Sequence, residues 1–290
     1  MDWLRRLPGR QPLQPAGFRT HAAAISDVGL VRSNNEDRTL LAMQPLQASW
    51  GVGDRVGLAA LADGMGGHQA GEVASELALE TAQRCLRAAA DMPAAKALAQ
   101  ALAAANAEVY AEAQRRPDRQ GMGTTLVLLL LRDDGAHYAW LGDSRLYHLH
   151  QGQMGQLGED DTVVRHLVSE GKLTEAEAHV HPDRYVLAQA LGTRPQIARL
   201  HVAGPVPITP GDAFMLCSDG LHDVVSESRI EQLLSDLPVV DACHALIEEA
   251  KRSGSEDNIS VAVIRILPLE GQDAVPAVTL RATVARESPG

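Results

Sequence analysis

Apolar positions fall into two patterns along this chain. Residues 22–26, 39–42, 57–62, 124–131, 136–141, 145–150, 213–217 and 259–266 are short apolar runs. Runs of that length bounded by Gly, Asp or Asn read as strands. Residues 71–90, 94–115, 227–237 and 239–252 instead repeat Ala, Leu and Val at helical spacing, and Asp91-Met92-Pro93 breaks the first pair. A more polar stretch, 151–193, holds shorter helical pieces at 162–170 and 174–178. Strands that neighbour strands, followed by helix pairs, predict α+β layering around antiparallel sheets rather than a βαβ fold. Periodicity is weak at both ends. Residues 1–20 carry Pro8, Pro12 and Pro15 and read as an irregular leader; residues 268–290 read as a flexible tail. One domain is expected between them, over 21–267.

Composition narrows the class. Apolar residues make up 45% of the 290 positions but aromatics only 3%, so the interior must be built from Leu, Val and Ala. The net charge of −11 argues against nucleic-acid binding, which needs clustered Lys and Arg. Cys85, Cys217 and Cys243 show no paired spacing and read as small core residues of a reducing compartment. The longest apolar run, 126–131, is too short to span a bilayer, and Met1-Asp2-Trp3-Leu4-Arg5-Arg6 has no signal core. A cytoplasmic monomer with no membrane contact is the expectation.

Candidate chemistry lies where strands meet loops. The run at 57–62 leads into Asp63-Gly64-Met65-Gly66-Gly67-His68, a carboxylate followed by glycines that let the backbone approach something closely. Glu36-Asp37, Asp143, Asp219 and Asp257 stand in similar places. Each alone reads most simply as a turn or cap residue. Together they suggest a hard-cation site, since Mg²⁺ and Mn²⁺ favour carboxylate, carbonyl and water oxygens. Without a cation such acids would repel one another and take up protons. Arg32, just before the acidic pair, has the fork that holds a phosphate dianion bidentately.

Ser26-Asp27-x-Gly29-x-x-Arg32-x-x-Asn35-Glu36-Asp37, Asp63 to His68, Gly142-Asp143-Ser144-Arg145, Ser218-Asp219-Gly220-Leu221 and Asp257-Asn258-Ile259 occur in that order. Gly121-Met122-Gly123-Thr124-Thr125 and Gln189-Ala190-Leu191-Gly192 add to them. In this the chain resembles the metal-dependent Ser/Thr protein phosphatases of the 2C type, the PPM family, in their bacterial form, from about residue 21 to 267. The resemblance implies a four-layer αββα sandwich, two central antiparallel β-sheets flanked by helices, with the metal site at one end. It implies a protein phosphatase that hydrolyses phosphoserine and phosphothreonine by direct attack of metal-activated water, opposite a cognate Ser/Thr kinase. It implies two core Mn²⁺ or Mg²⁺ ions and a weaker third. Asp63 would bridge the core pair and the Gly64 carbonyl would bind one ion. Asp219 and Asp257 would complete the pair, with Glu36 and Asp37 bound directly or through water. Asp143, with Asp219, would hold the third ion, Arg32 would clamp the substrate phosphate, and residues 171–184 would form a mobile flap.

One position departs from the animal and plant members, which usually carry a histidine where this chain has Met65. Met65 cannot donate a proton to the leaving alkoxide, so water, ahead of His68, is the expected donor. Other readings are weaker. Gly66 to Gly71 resembles a nucleotide P-loop, but Glu72 stands where that loop needs Lys. Asp223 stands where a cysteine phosphatase built on Cys217 would need Arg, and no Gly-x-Ser-x-Gly elbow is present. The alternative from another class is a silent phosphatase-like adaptor that binds a kinase or phosphoprotein. Such chains usually lose metal acids, and this one keeps Asp37, Asp63, Asp219 and Asp257.

Overall fold

The computed structural model describes residues 18–43, 56–66, 70–268 and 282–284. The Pro-rich leader, apart from its last residues, and the Gly67-His68 end of the glycine loop lie outside the described residues. One sheet contains β1 (Phe18–Asp27), β7 (Arg145–His150), β8 (Gln153–Leu157), β10 (Ala213–Cys217), β11 (Ile259–Pro268) and β12 (Ala282–Val284) in the order β12-β1-β11-β10-β7-β8. The other runs β2-β3-β5-β6-β9 through β2 (Asp37–Met43), β3 (Val56–Met65), β5 (Leu126–Arg132), β6 (Gly135–Leu141) and β9 (His201–Val206). The two-residue β4 (Gly123–Thr124) pairs with the end of β3. Among the described residues all pairings are antiparallel save one: β12, within the stretch expected to be a loose tail, runs parallel to β1.

Strand alternation builds the layers. On β5, Leu126, Leu128 and Leu130 face helices α1 (Ala70–Ala88) and α2 (Ala94–Arg115), while Val127, Leu129 and Leu131 face the other sheet. On β10, Phe214 and Leu216 point into the sandwich, and Met215 and Cys217 point out to α6 (Glu227–Asp236) and α7 (Val239–Arg252). Both faces of the central strands are therefore covered, which is why these runs read as continuously apolar. Four layers result, α on β on β on α, as expected. The short α3 (Val163–Ser169), α4 (Glu175–His179) and α5 (Asp219–His222) lie in connections. Alanines carry much of the outer core: Ala74, Ala78, Ala97, Ala101 and Ala105 are fully buried where α1 and α2 meet the sheet. The three cysteines are unpaired. Burial raises the Cys217 thiol far above its usual range and pushes Cys243 up to about 12, so both behave as core residues.

Candidate active site

Antiparallel pairing brings distant acids to one end of the sandwich. Asp37 opens β2 and Asp63 lies near the end of β3, and the ladder sets them directly opposite each other. The end of β10 carries Ser218 and then Asp219, the first residue of α5. Asp257 lies just before β11, and Asp143 in the turn between β6 and β7. Glu36 immediately precedes β2. All six acids singled out in the sequence thus reach the same end: Glu36, Asp37 and Asp63 with one sheet's strands, Asp219 and Asp257 with the other's, and Asp143 in the turn that joins the two sheets.

Neutral side chains fix these acids. Ser218 Oγ donates to Asp37 Oδ2 at 2.7 Å, and the Asp37 amide donates to Asn35 Oδ1 at 3.0 Å. Thr125 Oγ1 accepts from the Asp63 amide at 2.9 Å, while its own amide and Thr124 Oγ1 both donate to the Asp63 carbonyl at 2.8 Å. Asn258 is the tie between sheet and loop. Its Oδ1 accepts from the Glu36 amide at 2.8 Å, and its Nδ2 donates to the Val28 and Asn34 carbonyls at 2.9 Å. Ser75 Oγ of α1 donates to the Glu36 carbonyl at 2.6 Å. Sequence reasoning gave Asn258, Ser218, Asn35 and Ser75 no role. For Asn258 and Ser218 the signal was adjacency to a candidate acid.

Glycines close the other side. A Cβ on Gly64 would lie 2.1 Å from the Gly71 carbonyl oxygen, and one on Gly71 would lie 2.6 Å from Glu36 Oε2. The first turn of α1 therefore packs on the end of β3 backbone to backbone, with Glu36 wedged beside it. Gly71, at the end of the stretch that resembles a P-loop, is thus a close-packing position. Glu72 is occupied by a salt bridge to Arg38.

The electrostatics are those of crowded, dehydrated anions. Burial, ahead of every other cause, raises Glu36, Asp37, Asp63, Asp143 and Asp219. Asp37 is pushed up to about 7 despite the Ser218 and Ser260 hydrogen bonds, and Asp143 up to about 7 with the Asp219 charge adding to burial. Asp63 is held well above the usual carboxylate range by burial and then by the charges of Asp37, Asp219, Asp143 and Asp257. Asp219 Oδ1 is buried with no hydrogen-bond partner among the described residues. An orphaned buried oxygen among acids that would otherwise hold protons fits a cation. The donors are all oxygens, which suits Mg²⁺ or Mn²⁺.

Beside the acids a cavity of about 550 Å³ opens to solvent, lined by Arg32, Asp219, Asp223 and Asp257 and by the apolar Val31, Tyr185 and Val224. Arg32 is exposed at its mouth, with Nη2 2.6 Å from Asp257 Oδ2. Tyr185 comes from the segment just after the expected flap, where Thr174 and Glu177 form a capping box for α4. Behind the acids Arg145 grips Asp160 through Nε and Nη2 at 2.9 and 2.7 Å.

An αββα sandwich that gathers acids from both sheets at one end has the architecture of the metal-dependent protein phosphatases. The chain belongs to the protein phosphatase 2C family, whose sequence profile matches residues 34–253. It is 39% identical over 245 residues to the serine/threonine protein phosphatase PstP of Mycobacterium tuberculosis, covering 84% of this chain and 45% of that protein. The chain therefore spans about half the length of that relative. It is 34% identical to the protein phosphatase PhpP of Streptococcus pneumoniae, covering 83% of this chain and 95% of PhpP. The crystal structure of the catalytic domain of PstP in complex with two manganese ions superposes with a TM-score of 0.71 at 37% identity. That match covers 87% of this chain and all of the solved one. No helix among the described residues is long and apolar enough to cross a membrane.

Proposed function

We propose that this protein hydrolyses phosphoserine and phosphothreonine on proteins, using divalent cations held by the acids at the sandwich end. The observation that carries this is the convergence of Asp37, Asp63, Asp219 and Asp257 from both sheets beside an exposed Arg32. Asp63, the Gly64 carbonyl, Asp219 and Asp257 would hold a pair of Mn²⁺ or Mg²⁺ ions, with Glu36 and Asp37 contributing directly or through water, and Asp143 with Asp219 would hold a weaker third. When bound, such ions would offset the charge of the phosphate dianion and lower the pKa of a bound water, making it a better nucleophile.

The chain's own residues supply the rest. Arg32 exchanges Asp257 for the substrate phosphate, which it holds at the mouth of the cavity. Val31, Tyr185 and Val224 receive the polypeptide on either side of the phosphoresidue. Ser218 and Asn258 keep Asp37 and the Glu36 loop in place, so little reorganisation accompanies binding. Met65, close to Asp63, offers no proton to the departing alkoxide, and His68 lies outside the described residues, so water is the assigned donor. The substrates are phosphoproteins made by a cognate Ser/Thr kinase, and the protein works as a cytoplasmic monomer. Release of phosphate from p-nitrophenyl phosphate and from a phosphothreonine peptide, with and without Mn²⁺, tests the reading. No turnover of either at saturating Mn²⁺ favours the adaptor. An Asp63→Ala variant as active as the parent removes the metal assignment.

A further inference from the structure

The end of the first sheet remote from the acids holds a cluster of different chemistry. His148 and His150 are two apart on β7 and so face the same side. Asp212 immediately precedes β10, where Ala213 pairs with Leu149. His148 Nε2 lies 3.1 Å from Asp212 Oδ2, and His150 Nδ1 lies 2.8 Å from Asp212 Oδ1. The donor atoms of all three side chains lie within 4.8 Å of one another, which among the described residues is true of no trio of the active-site acids. The latter spacing suits ions that keep several waters, whereas the former suits an ion gripped directly by protein.

We propose that His148, His150 and Asp212 form a second metal site for a borderline ion such as Zn²⁺, with water in the fourth position. Tetrahedral Zn²⁺ with bonds of about 2.0–2.1 Å to nitrogen and oxygen sets its ligand atoms roughly 3.3 Å apart. The two nitrogen–oxygen spacings, 3.1 and 2.8 Å, are within about half an ångström of that value but run to different Asp212 oxygens, so binding through one oxygen requires the carboxylate to turn. The two rings lie 5.7 Å apart, close to the roughly 5 Å expected for two imidazoles on one tetrahedral ion.

The surroundings hold the ligands as a metal site requires. His148 is stacked on Phe214 at 4.4 Å and is fully buried. Thr209 donates to both Asp212 oxygens, from its amide at 2.9 Å and from Oγ1 at 2.9 Å, orienting the carboxylate. Hydrogen bonds from the imidazoles and Thr209 hold Asp212 below the usual carboxylate range against its burial, so it is an anion ready to bind. His150 keeps 11% of its side chain exposed, which gives the ion and its water a way in. Without the ion the same groups hydrogen-bond to one another, and the turn forms regardless. Binding requires each imidazole nitrogen facing Asp212 to give up its hydrogen. A neutral ring shifts tautomer, and a charged ring releases a proton to water. Nitrogen donors select Zn²⁺ or Co²⁺ here, while oxygen donors select Mg²⁺ or Mn²⁺ at the other end.

The test uses the full chain saturated with Mn²⁺ and then dialysed against micromolar Zn²⁺. The parent should bind one Zn²⁺ more than His150→Ala, and both should turn over p-nitrophenyl phosphate with Mn²⁺ equally well. In an Asp63→Asn background, Co²⁺ should give the intense visible band of a tetrahedral site, and His150→Ala should abolish it. Equal Zn²⁺ stoichiometry in parent and variant, or a band that survives the substitution, overturns the proposal. If His150→Ala does not fold, the Asp63→Asn protein decides alone: no tetrahedral band at tenfold excess Co²⁺ overturns the site. This outcome is independent of phosphatase turnover.

Discussion

Adding one methyl group at Gly64 should disable the site while leaving most of the fold standing. A Cβ there would sit 2.1 Å from the Gly71 carbonyl oxygen and 2.7 Å from that of Glu36, where real Cβ atoms essentially never come within 3.0 Å. Backbone blocks both sides, so β3 and the first turn of α1 must part by at least about 0.9 Å. Overpacking of this kind typically costs about 1–3 kcal/mol, or roughly 2–10 °C of melting temperature for a domain of this size. The larger effect is local. Asp63 is the neighbouring residue, and a misplacement of about 1 Å at a catalytic constellation costs on the order of 100-fold in rate. The assay is kcat/KM for p-nitrophenyl phosphate in saturating Mn²⁺, with circular dichroism to follow folding. Gly152→Ala is the control: Gly152 has φ of +76° in the β7–β8 turn with nothing within 4 Å of the added carbon. It should cost about 1–2 kcal/mol through backbone strain with turnover unchanged. Gly64→Ala turnover within threefold of the parent would refute the close-packing argument.

Other expectations follow from single contacts. Asn258→Ala removes three hydrogen bonds between the sheet and the 28–36 loop. It should lower stability by roughly 2–4 kcal/mol, at about 0.5–1.5 kcal/mol per bond, and raise KM; a melting temperature within 2 °C of the parent would contradict this. Arg32→Lys should lower kcat/KM for a phosphothreonine peptide about tenfold or more, because a point charge replaces a bidentate fork; steady-state kinetics on the peptide checks it. The pH dependence has a definite sign. Asp37 and Asp143 are raised from 3.8 to about 7 in the ion-free protein, so the folded state binds more protons than the unfolded one between those values. Stability in EDTA should therefore fall as pH rises from about 4 to 7, and saturating Mn²⁺ should shrink that slope. Melting curves at pH 5, 6 and 7 with and without the ion decide it, and parallel curves would count against the cation site.

Much of the fold was legible because both faces of the sheets are covered. Residues 94–115 and 239–252 form helices over those ranges and 213–217 is a strand, while the run at 124–131 is split at Thr125 between β4 and β5. The strands that escaped notice lack that signature. β8 reads Gln-Met-Gly-Gln-Leu at a sheet edge, and β9 carries Gly204 and Pro205. In α5 a single turn hides behind the Ser218-Asp219 motif. Each candidate acid was visible as a strand-end carboxylate, but the residues that hold them were not. Asn258 reaches back 222 residues to Glu36, a distance no local pattern encodes. His148 and His150 look like ordinary strand positions until β10 brings Asp212 beside them.

The acids come from both sheets: Asp37 and Asp63 from β2 and β3, Asp219 and Asp257 from the ends of β10 and β11. An ion shared among them would therefore add a clasp between two layers that the Ser218–Asp37 and Asn258–Glu36 hydrogen bonds already join at this end. Prising the sheets apart and releasing such an ion would become one event, each resisting the other. Mn²⁺ should then slow amide exchange at the near ends of β3 and β11 together, although those strands share no ladder. In mechanical language, ions bound there as proposed would tie that end of the sandwich shut.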